Sequence, residues 1–471
     1  MKNSLAPINK IPPEVLSIVP DYYRKDLTDR DLIVLTHVCH RWRDTFISRT
    51  SLWTRFDFTN VDKTRTYIQR SQSSSLKFHF GGFGVIDEAL TLVTPHIRRL
   101  KSLTIDAPVL PSVLRHLRRP TPLIEKLDIK CFGDQALDNA LFNGDLSSLR
   151  ELRLHGVVAH FPWTNLSNLR VIDLKSRSYS YETTKILDLF VSAPLLHIVS
   201  LWYPIPVSSD VPPQRTVPLR HLKVLTIMTD SSPSILLHHL LIPAGASVIL
   251  EFPHHGDESP FPDYFPERFP NSNNLSQITA INLPCNMNGT SLRLSGPSGS
   301  LRLLTPWRKN PNEVACTIFP TLGPVISTTE RLAIFGYKRV ASTNVEDCPI
   351  FQTLSSANHL QTLVLADCYP MLFAKALDPS QNPSNLVLCS NLKKLVLYVK
   401  HWSLASAILL IRMAKNRASR GAKFSSITVI EVGDPALGEL LSRLKEHVTH
   451  VEHRSDDARP AWDDVPGESG G

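Results

Sequence analysis

One six-residue pattern, apolar at its first, fourth and sixth places, recurs from residue 100 onward and limits the fold more than any other feature of the chain. It reads LKSLTID, IEKLDIK, LRELRLHG, LRVIDLKS, LHIVSLWYP, LKVLTIM, ITAINLP, TERLAIF, LQTLVLA, LKKLVLY and ITVIEVG. The last core positions of these segments are Ile105, Ile129, Leu154, Leu174, Leu201, Ile227, Leu283, Ile334, Leu365, Leu397 and Val432. The first five gaps are 24, 25, 20, 27 and 26 residues, and the last three are 31, 32 and 35. The 56 residues between Ile227 and Leu283 hold a further segment, SVILEFP, with Leu250 in the missing place. Apolar residues two apart mark a strand. Helical patterns such as YETTKILDLFVSA and WSLASAILLIRMAKNRA fill several intervals, so the repeating unit is strand, loop, helix. Such a unit cannot bury its leucines alone, whereas stacked neighbours make a continuous core in which each Leu or Ile is worth about 1.5 to 3 kcal/mol. The expected fold class is α/β, a strand-loop-helix solenoid over residues 76–453 behind a small helical N-terminal segment. The repeats lack a regular Asn ladder.

The residues flanking each core position face the other side of the sheet. Early repeats place Thr104, Asp106, Asp128, Lys130, Arg153, His155, Asp173 and Lys175 there, and late repeats place Ala333, Phe335, Val364, Ala366, Val396 and Tyr398. This face changes from charged to apolar along the chain, with Trp202 nearer the middle. Either the apolar end receives a protein ligand through Trp202, Phe335 and Tyr398, or the C-terminal segment or a proline-rich loop covers it. That loop, residues 252–274, holds five prolines and five aromatics and reads as an insertion packed on the rest. Residues 291–304, SLRLSGPSGSLRLL, read as an inserted hairpin, and 454–471 as a polar, acidic, disordered tail.

Ahead of the repeats, Pro12, Pro13 and Glu14 suit a helix start, and Pro20 predicts its end within about two turns. From Asp29 the sequence DRDLIVLTHVCHRWRDTFIS predicts one continuous helix, with Thr28 and Asp31 at capping-box spacing. Leu32, Leu35, Val38, Cys39, Trp42 and Phe46 fall on one apolar stripe of that helix. His37 and His40 project away from Cys39, which argues against a shared metal. SLW, residues 51–53, adds a second indole. About 45 residues of short helices lie near the lower limit for an independent core, so part of this apolar surface should seek a partner.

IPPEVLSIV, then a Leu-rich helix with VCHRW, then SLW together resemble an F-box, the adaptor motif that docks onto Skp1 in cullin-RING ubiquitin ligases. The resemblance covers residues 8–55, with residues 56–75 as a linker helix. It implies Skp1-binding or domain-supporting roles for Ile11, Pro12, Pro13, Leu16, Leu35, Val38, Cys39, Trp42, Leu52 and Trp53. Pro20 and the polar DYYRKDLTDRD depart from the longer, more apolar first helix typical of the family. The repeats resemble the irregular leucine-rich repeats behind F-boxes, specifically those of fungal, basidiomycete-type F-box proteins. The implied function is substrate recognition in an SCF-type (Skp1-cullin-F-box) E3 ligase: a Skp1-like adaptor, and through it a cullin, on one side and a protein client on the other. The alternative is a non-catalytic interaction scaffold with no ubiquitin role.

The remaining features argue against other classes. GxSxG, GxxxxGK[ST], HExxH and a post-strand GxGxxG are absent, so no enzyme activity and no cofactor are expected. His447, His450 and His453 are spaced for zinc only if helical, and the paired histidines at 238 and 254 read as surface or loop, so no metal is expected. The net charge of +8 is scattered, densest in KNRASRGAK at 415–423, and reads as solvated surface rather than a nucleic-acid site. Seven unpaired-looking cysteines and no apolar run of about 18 residues point to a reducing, membrane-free location, cytoplasmic or nuclear.

Overall fold

The computed structural model describes the chain apart from residues 1–9, 23–28, 58–59, 82–85, 107–114, 138–140, 160–164, 177–180, 203–214, 230–232, 253–277, 287–288, 306–322, 337–353, 382–385, 400–402, 432–441 and 456–471. Its contacts divide it into two compact units, Met1–Val211 with Leu219–Leu222, and Pro212–Pro218 with Lys223–Gly471. Both units are mixed α/β.

The first unit opens with three helices, α1 (Pro13–Tyr22), α2 (Asp29–Thr36) and α3 (His40–Ser48), followed by a single 3-10 turn at Thr50–Trp53. Strand β1 (Arg55–Asp57) and helix α4 (Val61–Ser71) lead into β2 (Leu76–Gly81). Helix α5 (Ile86–Val93), β3 (Leu100–Asp106), β4 (Lys126–Leu137), β5 (Glu151–Ala159), β6 (Val171–Lys175), α6 (Thr183–Ser192) and β7 (Ile198–Trp202) complete the unit's main elements. Strands β1 to β7 pair in chain order, all parallel. The register sets Ile105, Ile129, Leu154, Leu174 and Leu201 side by side, one from each repeat, and all five are buried. This is the lateral stacking that the spacing of the pattern predicts.

Short polar bonds tie the segments ahead of neighbouring strands together where Asn is not regular. Ser148 Oγ donates to the Pro122 carbonyl at 2.7 Å, and Asn168 Nδ2 donates to the Ser147 carbonyl at 2.7 Å. In the second unit Asn391 Nδ2 donates to the Asn358 carbonyl at 2.7 Å. All three donors directly precede the first apolar residue of a repeat.

The second unit carries β8 (Val224–Met228), β9 (Ser247–Glu251), β10 (Ala280–Asn286), β11 (Gly289–Gly296) and β12 (Gly299–Thr305). Then come β13 (Arg331–Phe335), β14 (Thr362–Ala366), helix α7 (Pro370–Leu377), β15 (Lys394–Val399), helix α8 (Leu404–Ser419), β16 (Ser426–Glu431) and β17 (His450–Ser455). Leu250 lies beside Ile227 in parallel register, so SVILE does occupy the missing rung. The 291–304 hairpin is not set outside the ladder. Its second strand pairs with β9 and its first with β10, so it supplies two strands to the sheet between them. From β10 through β13 to β17 the ladder is parallel again.

The final repeat corrects one sequence position. Val429, not Val432, stands beside Leu397, and Phe424, Ile427 and Val429 are the buried members of the pattern. An aromatic in the first place hides that register, and Val432 itself lies outside the described residues. Strand β17 also runs two residues into the segment read as tail; the rest of that tail, and the proline-rich loop beyond Phe252, lie outside the described residues.

The basic cluster at 415–423 is not all solvated surface. Arg417 is fully buried, its Nη1 donating to the Leu388 carbonyl at 2.6 Å and its Nη2 to the Cys389 carbonyl at 2.8 Å. Its guanidinium stacks 4.9 Å from the Phe424 ring centroid, and burial lowers its pKa to about 10. The residue acts as a charged pin between α8 and the turn ahead of β15.

Candidate functional site

The N-terminal helices do not form as the sequence pattern predicts. The chain from Asp29 to Ser48 is two helices, broken at His37 to Cys39, where Cys39 is fully extended at φ −161° and ψ 172°. The end of α2 is satisfied from across the break, Arg43 Nε donating to the Thr36 carbonyl at 3.1 Å. In turn, α1 continues through Pro20 to Tyr22, so the proline costs an amide donor without ending the helix. The expected Thr28 cap lies outside the described residues.

Leu16, Trp42 and Phe46 form the centre of this helical group, with Ile11, Leu35, Cys39 and Leu52 packed around it. Trp42 and Phe46 meet edge to face at 5.5 Å. Arg41 Nη2 donates to the Ile11 carbonyl at 2.6 Å and draws the segment before α1 onto α3. Trp53 is 1% exposed and joins the helices to the sheet. Its Nε1 donates to the Phe46 carbonyl at 2.9 Å, its ring meets Tyr67 of α4 edge to face at 5.1 Å, and Arg70 lies 4.3 Å from its centroid. Thr54 then accepts from Lys77 N at 2.7 Å, and β1 pairs with β2.

Both indoles are therefore enclosed by their own chain, yet apolar surface remains outside. Val15 and Ile18 of α1 are 51% and 45% exposed, Ile33 and Val34 of α2 are 43% and 56% exposed, and Val38 in the break is 52% exposed. Pro12 and Pro13 are exposed beside them in sequence. Of the residues assigned to Skp1, Leu16, Trp42 and Trp53 hold the domain together, and Ile11, Leu35, Cys39 and Leu52 are half-buried. Only Pro12, Pro13 and Val38 stand at the surface. Val15, Ile18, Ile33 and Val34 are not among the residues the resemblance assigns; Ile33 and Val34 lie off the apolar stripe of the second helix.

Because Cys39 lies in the break, the single-helix geometry that separated it from His37 and His40 does not hold. Among the described residues no three His, Cys, Asp or Glu side chains gather as metal ligands. His450 and His453 lie in β17, where an odd spacing points them to opposite faces. His239 is buried rather than superficial, with Nδ1 2.6 Å from the Arg215 carbonyl, while the pair at 254 lies outside the described residues. No helix among the described residues is long and apolar enough to cross a membrane.

On the sheet face expected to meet a client, the first unit shows one ion pair and one cation–ring contact. His155 Nε2 and Asp173 Oδ2 are 3.0 Å apart, and Lys175 Nζ lies 4.1 Å from the Trp202 ring centroid. In the second unit Ala333, Val364, Val396 and Ile430 form a buried cluster, with Phe335 and Tyr398 partly buried against it. Phe335 and Tyr398 thus share one patch, and Trp202 belongs to the other unit.

No curated protein matches the chain at a significant level. Residues 8–59, which span α1 to β1 with both indoles and the exposed aliphatics, match the F-box-like family, and the chain carries an F-box-like domain there.

Proposed function

We propose that the protein is a substrate receptor of an SCF-type ubiquitin ligase, its F-box-like domain docking a Skp1-like adaptor and its strand-helix repeats holding a protein client. The observation that carries this reading is the half-exposed set Val15, Ile18, Ile33, Val34 and Val38 on a helical group whose core is already complete. Surface of that kind, on a domain matching the F-box-like family, fits a permanent protein partner. The repeated LxxLxL register and parallel ladders support a leucine-rich-repeat-like solenoid of the irregular fungal type, in which Phe335, Tyr398 and Trp202 contact the client. The role is non-catalytic: holding a client near the transfer machinery raises its effective concentration there. Its compartment is the cytoplasm or nucleus, where that machinery works on reduced proteins.

The test is co-purification of Skp1 and cullin with the intact protein and with Val34→Glu/Val38→Glu. Both substitutions fall on exposed side chains, so folding should be retained. The reading expects Skp1 and cullin with the intact chain and neither with the variant. Skp1 without cullin supports the scaffold alternative, and equal recovery with both chains overturns the assignment of this surface.

A further inference from the structure

Cations that look scattered along the sequence gather at one edge of the first unit. The second place of the repeated pattern is taken in turn by Lys101, Glu125, Arg150, Arg170 and His197. Backbone bonds hold these residues rung to rung. Glu125 N donates to the Lys101 carbonyl at 2.8 Å, Arg150 N to that of Glu125 at 2.7 Å, Arg170 N to that of Arg150 at 2.8 Å and His197 N to that of Arg170 at 2.8 Å. Positions 20 to 27 residues apart in the chain thus stand about 4.8 Å apart in space, where the strands begin.

Lys101 and Glu125 neutralise each other at 3.1 Å. Arg150 and Arg170 are exposed, and among the described residues their side chains make no hydrogen bond or ion pair. The neighbouring carboxylates are engaged elsewhere: Glu151 with Lys126 at 3.4 Å and Arg153 at 3.9 Å, and Asp145 with Ser147 N at 3.2 Å and Ser147 Oγ at 2.7 Å. The row continues to His197, whose ring stacks 6.0 Å from that of His221, and His221 follows the exposed Arg220. At the head of the row a cavity of about 270 Å³ has Ser75, Lys101, Leu123, Glu125, Arg150 and Asn168 in its lining. Leu123 is 49% exposed there.

We infer that this edge binds an acidic, extended polypeptide segment, one carboxylate on Arg150 at the cavity, a second on Arg170, and an aliphatic side chain against Leu123. Side chains two residues apart on an extended chain stand about 7 Å apart, a separation that two long arginines on adjacent rungs bridge, each guanidinium fork taking one carboxylate. A nucleic acid fits less well, because the row offers few cations for its phosphates and the cavity lining has no aromatic ring on which to stack a base. The inference gives the client of the proposed function an anionic element, and its test needs no adaptor, so the two fail separately.

Fluorescence anisotropy of the full-length protein with a fluorescein-labelled peptide, in which Glu alternates with Leu or Ser, tests this. The intact protein should bind it, more weakly as salt is raised, and Arg150→Ala/Arg170→Ala should weaken binding about tenfold. Lys415→Ala/Lys423→Ala removes the same charge from two exposed positions of the second unit and should leave binding unchanged. All three proteins should share one melting temperature, since the four side chains are exposed. No binding by the intact protein, equal weakening in both variants, or tighter binding of a labelled oligothymidylate through the same two arginines would overturn the inference, the last assigning the edge to a nucleic acid.

Discussion

Gly156→Ala isolates a close backbone approach from ordinary glycine conformation. Gly156 lies in β5 at φ +65°, opposite the bulge of β4, where the register passes from Lys130↔His155 to Gln135↔Val157. A Cβ there overlaps the Cys131 carbonyl oxygen and lies 3.1 Å from its carbon. The left-handed conformation costs an alanine about 1 to 2 kcal/mol. Forcing the two backbones apart adds about 1 to 3 kcal/mol by analogy with overpacking. Reduced freedom of the unfolded chain returns about 0.4 to 1 kcal/mol, leaving a net loss of about 1 to 4.6 kcal/mol. For a unit of this size that is a fall of about 2 to 18 °C in Tm, read by thermal unfolding. Gly133→Ala is the matched control, because Gly133 has φ +84° and nothing within 4 Å of a Cβ. It should cost about 1 kcal/mol, the left-handed cost less the unfolded-state gain. If the two substitutions cost the same, the contact between the strands does not limit this position and the reasoning fails.

Trp53→Phe removes the bond to the Phe46 carbonyl as well as indole volume, whereas Trp42 Nε1 is buried with no hydrogen-bond partner among the described residues. Urea unfolding should therefore show Trp53→Phe costing about 1 kcal/mol more than Trp42→Phe; equal losses would deny the bond its role. Asp378 is buried, which by itself raises its pKa, but hydrogen bonds from Asn416, from Ser380 through both N and Oγ, and from Arg412 together hold it below the ordinary carboxylate value. Its stabilising contribution is complete above about pH 4 and is lost as pH falls through the lowered value. The stability gap between the protein and Asp378→Asn should accordingly close on acidification, and a gap constant down to pH 2 would contradict the linkage.

The strands were legible in the sequence because their signal is local: apolar residues two apart, repeated at intervals a single strand-helix unit can fill. Even there an aromatic at Phe424 shifted the last register by three residues. The break at His37 to Cys39 was not legible, since Leu32, Leu35, Trp42 and Phe46 keep a helical phase on either side of it and Arg43 supplies the missing cap from another turn. Sequence also located the apolar residues of the N-terminal helices without sorting them. Whether an indole faces a partner or its own chain depends on Tyr67 and Arg70, which arrive from α4 and lie off the motif. Nor could composition separate Arg417, packed between carbonyls and a ring, from its solvated neighbours.

The three-residue strand β1 is the smallest element of the sheet, and its position matters most for what the N-terminal helices can do. With Trp53 wedged against α4 on one side and β2 hydrogen-bonded on the other, no pliant joint separates those helices from the first rungs of the ladder. Whatever grips them is held at a set bearing to the sheet, so the span to anything the early repeats carry is decided by rigid framework rather than by the length of a leash.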